Sequence, residues 1–180
     1  MDTSGSIAHW RRIDHLEYAM CSRVNRACRY AAVKAFFATV SRLGDGGVWY
    51  LLMFLLAVNG ERTAWVAGQM AATGIVALAL YRHLKERLVR ERPCVSFAGI
   101  EPGTAPLDRY SFPSGHTLHA VCFTTLATAH VPELAVLLVP FTLLVAASRV
   151  VLGMHSPSDV LAGAAIGMAL ARASLLVWPG

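Results

Sequence analysis

Five stretches of this chain, residues 47–59, 64–82, 116–131, 134–148 and 159–178, are nearly continuous runs of apolar and small residues. That feature constrains the fold more than any other. In hydrocarbon no water satisfies the backbone, so a lipid-embedded run must form its own hydrogen bonds, as a helix does. Crossing roughly 30 Å of hydrocarbon takes about 20 residues at 1.5 Å each, so the shorter runs must borrow flanking residues. The composition agrees: 56% of residues are hydrophobic and 15% charged, too few charges to coat a soluble globule of 180 residues. The expected fold is all-α, a polytopic membrane helix bundle of about five transmembrane helices.

Ahead of these runs, residues 23–43 read as one helix. Val33, Phe36, Phe37 and Val40 follow the i, i+3, i+4, i+7 pattern, with Lys34, Ser41 and Arg42 elsewhere around the turn. Arg29, Lys34 and Arg42 make a crossing costly, so this helix is read as lying in the interface, with a sixth span as the alternative. The chain thus divides into residues 1–43, a polar segment with an interfacial helix, and residues 44–180, a membrane-embedded domain. No cleavable signal peptide is visible, so the spans themselves direct insertion. Gly163 and Gly167, four apart in the last run, predict close helix packing.

A net charge of +5 admits nucleic acid, an anionic membrane surface or a phosphorylated substrate as partner. No nucleic-acid-binding motif or aromatic–basic interleaving is present. The basic residues abut apolar runs instead, which favours the membrane interface. The four cysteines, Cys21, Cys28, Cys94 and Cys122, form no CxxC pair and read as structural thiols.

The alternation of spans gathers three polar clusters. If the second run ends near Arg82 on one membrane face, the long connection of residues 83–115 lies there, and the third run starts there. The third and fourth runs form a hairpin around Pro132, which returns the chain to the same face at Arg149. Lys85 to Arg92, Ser114-Gly115-His116, and Ser148-Arg149 to His155 and Asp159 therefore meet. Lys85, Arg92 and Arg149 are three fixed cations that repel one another unless an anion neutralises them, and a phosphoryl group spreads its charge over three oxygens. Ser114 and Gly115 immediately precede a helix, whose free N–H groups also favour an anion. A neutral imidazole can attack phosphorus while a second protonates the departing oxygen. Asp159, four residues after His155, is spaced to orient it. The same cations would repel a divalent metal, so the pattern calls for no metal and no cofactor.

These residues carry a family resemblance. Lys85-Glu86-Arg87-Leu88-Val89-Arg90-Glu91-Arg92-Pro93, Pro113-Ser114-Gly115-His116, and Ser148-Arg149 with His155 and Asp159 match K-x6-RP, PSGH and SR-x5-H-x3-D. In these three motifs the chain resembles the type 2 phosphatidic acid phosphatases, a superfamily shared with vanadium haloperoxidases and bacterial acid phosphatases. The resemblance covers about residues 44–175. It implies a membrane lipid phosphatase with His155 as nucleophile, forming a phosphohistidine, His116 as general acid and Asp159 as partner of His155. It also implies Lys85, Arg92, Ser114, Gly115 and Arg149 as phosphate binders. The implied substrate is a phosphatidate-like phospholipid, phosphatidylglycerol phosphate or a polyprenyl (pyro)phosphate. Transfer to an acceptor other than water, and binding without turnover, are the competing readings; the apolar character of the chain counts against a haloperoxidase, since those enzymes are soluble.

Other polar residues read more plainly. His119 is expected to be a satisfied core histidine, and Asp45, between Gly44 and Gly46, a turn or helix start. Arg87, Arg90 and Arg109 are expected to meet lipid headgroups. By the positive-inside rule, the Lys and Arg before the first run and within residues 82–109 put the N-terminus and the site in the cytoplasm, at a bacterial inner membrane. A sixth span would separate the two.

Overall fold

The fold was obtained as a computed structural model, which describes residues 16–88, 90–97, 99–104 and 110–178. Arg109 and the first 15 residues lie outside the described residues, so the reading of Arg109 is not taken further. Among the described residues the chain is helical, with no strand beyond a single bridge between Glu91 and Tyr110. Helix α1 covers residues 16–25, and a 3-10 turn follows at Arg26–Arg29. The longer elements are α2 (Ala31–Leu43), α3 (Gly47–Val58), α4 (Glu61–Arg87), α6 (Gly115–His130), α7 (Ala135–Val151) and α8 (Pro157–Val177), with the one-turn α5 (Pro93–Ser96) in the long connection. Each of the five apolar runs has become one helix, in the expected order.

Helix α6 is the central one. Leu118, Ala120, Cys122, Leu126 and Ala127 are fully buried, and α4, α7 and α8 surround it. The closest approach is to α8. A Cβ on Gly163 would stand 2.6 Å from the Ser114 carbonyl oxygen, and one on Gly167 would stand 2.3 Å from that of Leu118. Only hydrogen at these two positions lets the backbones meet, as the sequence led us to expect. On the other flank Trp49 of α3 is buried against Phe123 and Phe141, its ring centroid 5.6 Å from each. The outer surface is apolar: Phe54, Ile75, Leu137, Leu143 and Leu176 are all exposed. Around a bundle with a packed interior, such a belt faces lipid.

Helices α4, α8 and α7 with its preceding turn are each long and apolar enough to cross a membrane. Helices α2 and α3 meet that test only as a pair, bent by 44°. Helix α6, at 16 residues, is shorter than a free-standing span, which its enclosure by other helices makes tolerable.

The expected single helix over residues 23–43 is broken at Tyr30, whose backbone is extended. The cause is tertiary. Asn25 Nδ2 donates to the carbonyls of Val151 (2.9 Å) and Glu101 (3.0 Å), and the Cys28 thiol also reaches Val151 (3.2 Å). These bonds satisfy a carbonyl at the end of α7 and pin the turn there. At the far end of α2, Ser41 meets Arg149, and Gly44 packs on Val145. Both ends of α2 therefore lie against residues 145–151, about 9 Å of α7, although α2 itself is about 20 Å long. Helix α2 thus crosses α7 obliquely, and α3 continues from it at a bend of 44°. The turn between them needs Gly46, whose φ of 134° is open to glycine and strained for other residues.

Gly167→Ala should lower the thermal unfolding temperature of the detergent-solubilised protein, an overpacking penalty of about 1–3 kcal/mol. Gly68→Ala on α4, where a Cβ meets nothing within 4 Å, should leave it unchanged or raised.

Candidate active site

Four helix ends converge on one face. Near the C-terminus of α4 sits Lys85, buried to 8% exposure, with its ammonium 5.4 Å from the Tyr81 ring centroid. Just before α5, Arg92 is 2% exposed, and its Nη1 donates to the Met154 carbonyl at 2.9 Å. The last turn of α7 supplies Arg149, also buried, with Nη1 donating to the Ser41 hydroxyl. The start of α6 supplies Gly115 and His116.

The loop from α7 to α8 supplies His155. Its backbone N–H and that of Met154 both donate to the Arg149 carbonyl (3.1 and 3.0 Å), folding the loop back over the helix end. The Ser156 side chain caps α8, and Asp159, at the third helical position, returns the bond: its Oδ2 accepts the Ser156 N–H at 2.8 Å. Ser156-Pro157-Ser158-Asp159 is thus a capping box with proline at the first helical position. That local signal was present in the sequence beside the motif reading of Asp159.

Lys85, Arg92, Gly115, His116, Arg149 and His155 line one end of a cavity of about 940 Å³. Two expected site residues stand behind this wall. Asp159 is fully buried, its Oδ2 3.8 Å from His155 Nδ1. Ser114 is also fully buried, its hydroxyl 3.0 Å from that of Thr117 and its N–H donating to the Asp159 carbonyl at 3.0 Å. Ser114 therefore holds the start of α6 against α8, and the cavity wall is formed by its neighbour Gly115.

The tautomer of His155 follows from its neighbours. Arg92 Nη1 stands 3.4 Å from His155 Nε2, and guanidinium is only ever a donor. Nε2 is thus the acceptor, with its lone pair on the side of the cations, and Nδ1 carries the proton. Nδ1 has no hydrogen-bond partner and faces Asp159 across 3.8 Å, beyond bonding length. Burial above all, and the charges of Arg149 and Arg92, push the His155 pKa down to about 4, while Asp159 pulls the other way. The imidazole is therefore neutral at physiological pH.

Two contacts went unread in the sequence. Asp45, assigned there only to a turn, lines the cavity, and its Oδ1 is 3.2 Å from His116 Nε2. Its position depends on the α2–α3 turn and left no mark near the three motifs. Arg90, expected among lipid headgroups, turns inward instead. Its Nη1 donates to Asp159 Oδ1 (2.7 Å) and to the Ser158 hydroxyl (2.6 Å), while Nη2 pairs with Glu17 of α1. A buried carboxylate with one oxygen turned away from its histidine needs a cationic partner, and Arg90 is placed to supply it. Arg87 is exposed at the end of α4, as expected. His119 also lines the cavity, yet its Nδ1 donates to the Gly115 carbonyl at 2.9 Å and its ring packs edge-on against Tyr81, so it is a satisfied histidine.

Away from the cations the cavity continues along α3, α4 and α6, past Trp49, Met53, Gly74, Ile75, Leu78 and Phe123. From Lys85 to Ala71, both in its wall, is 14 residues of α4, or about 21 Å. The cations gather at one end, with Asp45 and Glu86 also in the wall, and the stretch along α3 and α4 is mainly apolar.

Comparison with known proteins bears on the fold and the family. Two crystal structures share the fold: LpxE of Aquifex aeolicus (TM-score 0.77, 24% identity, covering 88% of this chain and 93% of that one) and the transmembrane PAP2-type phosphatidylglycerolphosphate phosphatase of Bacillus subtilis (0.73, 25%, 92% and 86%). In sequence the chain is similar to decaprenylphosphoryl-5-phosphoribose phosphatases. It is 36% identical to that of Mycolicibacterium smegmatis over 110 residues, which is 60% of this chain and 57% of the relative. It is 34% identical to that of Mycobacterium tuberculosis over 135 residues, 71% of each. A lipid A 1-phosphatase of Rhizobium etli is 26% identical over 77% of this chain and 68% of its own length. The family model for the PAP2 superfamily matches residues 62–179, a stretch that contains all three motifs and every helix from α4 onward, and the chain belongs to that family.

Proposed function

We propose that this integral membrane protein is a lipid phosphatase that hydrolyses a phosphate monoester or pyrophosphate carried on a phospholipid or polyprenyl chain. The observation that carries the reading is the two-part cavity, with His155 Nε2 beside the cations and an apolar groove leading away from it along α4. A headgroup phosphate is held by Lys85, Arg92, Arg149 and the N–H groups at the start of α6, while the tail lies along α3 and α4. The names of the relatives, which act on decaprenylphosphoryl, lipid A and phosphatidylglycerol phosphates, favour a lipid over a soluble ester.

In the proposed reaction His155 Nε2 attacks phosphorus. The P–N bond forms, the bond from phosphorus to the leaving oxygen breaks, and the proton on His116 Nε2 passes to that oxygen. The cations offset charge that builds on the equatorial oxygens. Asp159 accepts from Nδ1–H more strongly as the ring becomes cationic, closing the 3.8 Å gap seen at rest. Water then attacks the phosphohistidine and gives up a proton to His116, the P–N bond breaks, and inorganic phosphate leaves. Asp45 accepts from the Nε2–H of His116 between turnovers and so keeps the acid loaded. The charge asymmetry of the chain favours the cytoplasmic face of a bacterial inner membrane for this site.

Purified protein should release phosphate from one or more of these lipids with a chelator present, and His155→Ala should lose turnover. Chelator-resistant turnover by His155→Ala at the wild-type rate would sink the mechanism.

Because Asp45 places a negative charge beside the phosphate site, Asp45→Asn should bind inorganic phosphate more tightly while kcat falls about 3- to 10-fold. A competitive phosphate inhibition constant measured alongside kcat checks both directions.

The lowered pKa of His155 also has a stability consequence. Between pH 6.5 and about 4 the unfolded chain protonates this histidine and the folded one does not, so folded stability falls as pH drops through that window and levels off below it. The melting temperature of the wild type should therefore drop more between pH 7 and pH 4.5 than that of His155→Gln, in which every other group still titrates.

A further inference from the structure

Arg90 and Glu17 lie outside the catalytic cavity, yet they touch the one carboxylate that faces the proposed nucleophile. Asp159 divides its two oxygens. Oδ2 faces His155 Nδ1 and accepts the Ser156 N–H, while Oδ1 accepts from Arg90 Nη1 at 2.7 Å. The other guanidinium nitrogen of Arg90 pairs with Glu17 Oε2, and Glu17 Oε1 accepts the Ser158 N–H at 2.8 Å. Arg90 thus forks between two acids, and Glu17 in turn grips both Arg90 and the first turn of α8. Arg90 and Glu17 line a separate, smaller cavity together with Tyr18, Cys21 and Ser156, on the far side of the catalytic loop from the phosphate cradle.

We infer that Arg90 and Glu17 are positioning residues for the hydrolysis proposed above, and that α1 completes the active site from behind by clamping Asp159 in the orientation His155 needs. Two physical arguments carry this. A fully buried carboxylate needs compensation for lost hydration, and the Ser156 N–H satisfies only part of it. The rigid guanidinium, held at its other nitrogen by Glu17, also fixes where Oδ1 sits, as a mobile point charge would not. With Oδ1 held by Arg90, the remaining oxygen is aimed at Nδ1; with Oδ1 released, the Ser156 N–H alone restrains the carboxylate and its charge is unbalanced. Glu17 performs the corresponding task for Arg90, whose side chain is about one-third exposed and would otherwise find other partners. The inference rests on the proposed reaction, because orienting His155 matters only if that ring attacks phosphorus.

The arrangement predicts a split between kinetic constants. Arg90 does not line the substrate cavity, so substrate binding should not register its loss. The test uses the full-length protein in detergent with a lipid phosphate that the wild type hydrolyses, and inorganic phosphate as competitive inhibitor. Arg90→Ala should lower kcat about 10- to 100-fold, the worth of one charged hydrogen bond, with KM and the phosphate inhibition constant within about twofold of wild type. Arg90→Lys should recover part of the loss. Glu17→Gln, which keeps an acceptor for the Ser158 N–H, should cost about 3- to 10-fold and add nothing further in the Arg90→Ala background, since Glu17 acts through Arg90.

Wild-type kcat in Arg90→Ala, or equal changes in kcat and KM, would overturn the inference, as would independent, multiplying losses in the double variant. If Arg90→Ala does not fold, Arg90→Lys and Glu17→Gln decide the matter, and wild-type kcat in both overturns it. A wild type that releases no phosphate from any lipid tested removes the functional reading and this inference with it. An active wild type with indifferent variants removes the inference alone.

Discussion

The site depends first on the contact between α6 and α8. Two glycines on α8 let the carbonyls of Ser114 and Leu118 come within a side chain's breadth of its backbone, and the Ser114 N–H then donates to the Asp159 carbonyl. His116 follows Ser114 on α6, and His155 precedes α8 by two residues, so this one backbone contact sets the separation of the two histidines. A wider crossing, of the kind larger side chains at positions 163 and 167 would force, moves one imidazole away from the other without altering any catalytic residue. Small residues in a membrane helix are usually explained by helix association alone. In this chain the same close approach also gives the proposed chemistry its geometry.

Asp159 is the second point on which the arrangement turns. It closes the capping box of α8 and accepts from Arg90, and it faces His155 across a gap. Local and long-range demands coincide: the third helical position, where a carboxylate best satisfies a helix N-terminus, is four residues after the histidine. A carboxylate held on both sides is already in place when the imidazole gains positive character, so little reorganisation is left to the reaction. The resting gap matters as well. With Nδ1 unbonded, the buried ring carries little incentive to protonate and keeps its Nε2 lone pair beside Arg92 and Arg149, whose charges disfavour an imidazolium.

How much of this was legible in the sequence depended on the range of the signal. Hydrophobic runs marked all five helices from α3 to α8 that build the bundle, because in lipid the helix is the local answer to backbone hydrogen bonding. The three motifs named the cavity-lining Lys85, Arg92, Gly115, His116, Arg149 and His155, since span alternation forces their loops onto one face. What escaped was set by packing between distant elements. The break at Tyr30 follows from Asn25 reaching the end of α7, more than a hundred residues away in sequence. Asp45 meets His116 only because Gly46 turns the chain there. Arg90 had the charge of a headgroup contact, and no periodicity distinguishes a cation that faces lipid from one that faces a buried acid. Ser114 was legible as a residue of the site but not in its orientation, its hydroxyl being turned to Thr117.

Helices α1 and α2 give the bundle end a property that the longer helices alone lack. Arg149 is buried beneath α2, whose Ser41 hydroxyl oxygen accepts from it, and Asp159 is closed off behind by α1 through Glu17 and Arg90. Charges at the mouth of a membrane bundle would otherwise be solvated by water and headgroups, where their fields are weak. With these sides covered, Lys85, Arg92 and Arg149 line the cavity, and the cavity leads toward the apolar groove along α3 and α4. In the proposed reaction, a phosphate arriving on a lipid tail is guided by the tail along the groove and by its charge at the cradle, and the two attractions meet at His155. The amphipathic segment ahead of the first span is in this sense part of the electrostatics of the site, because it excludes water from the side that the bundle leaves open.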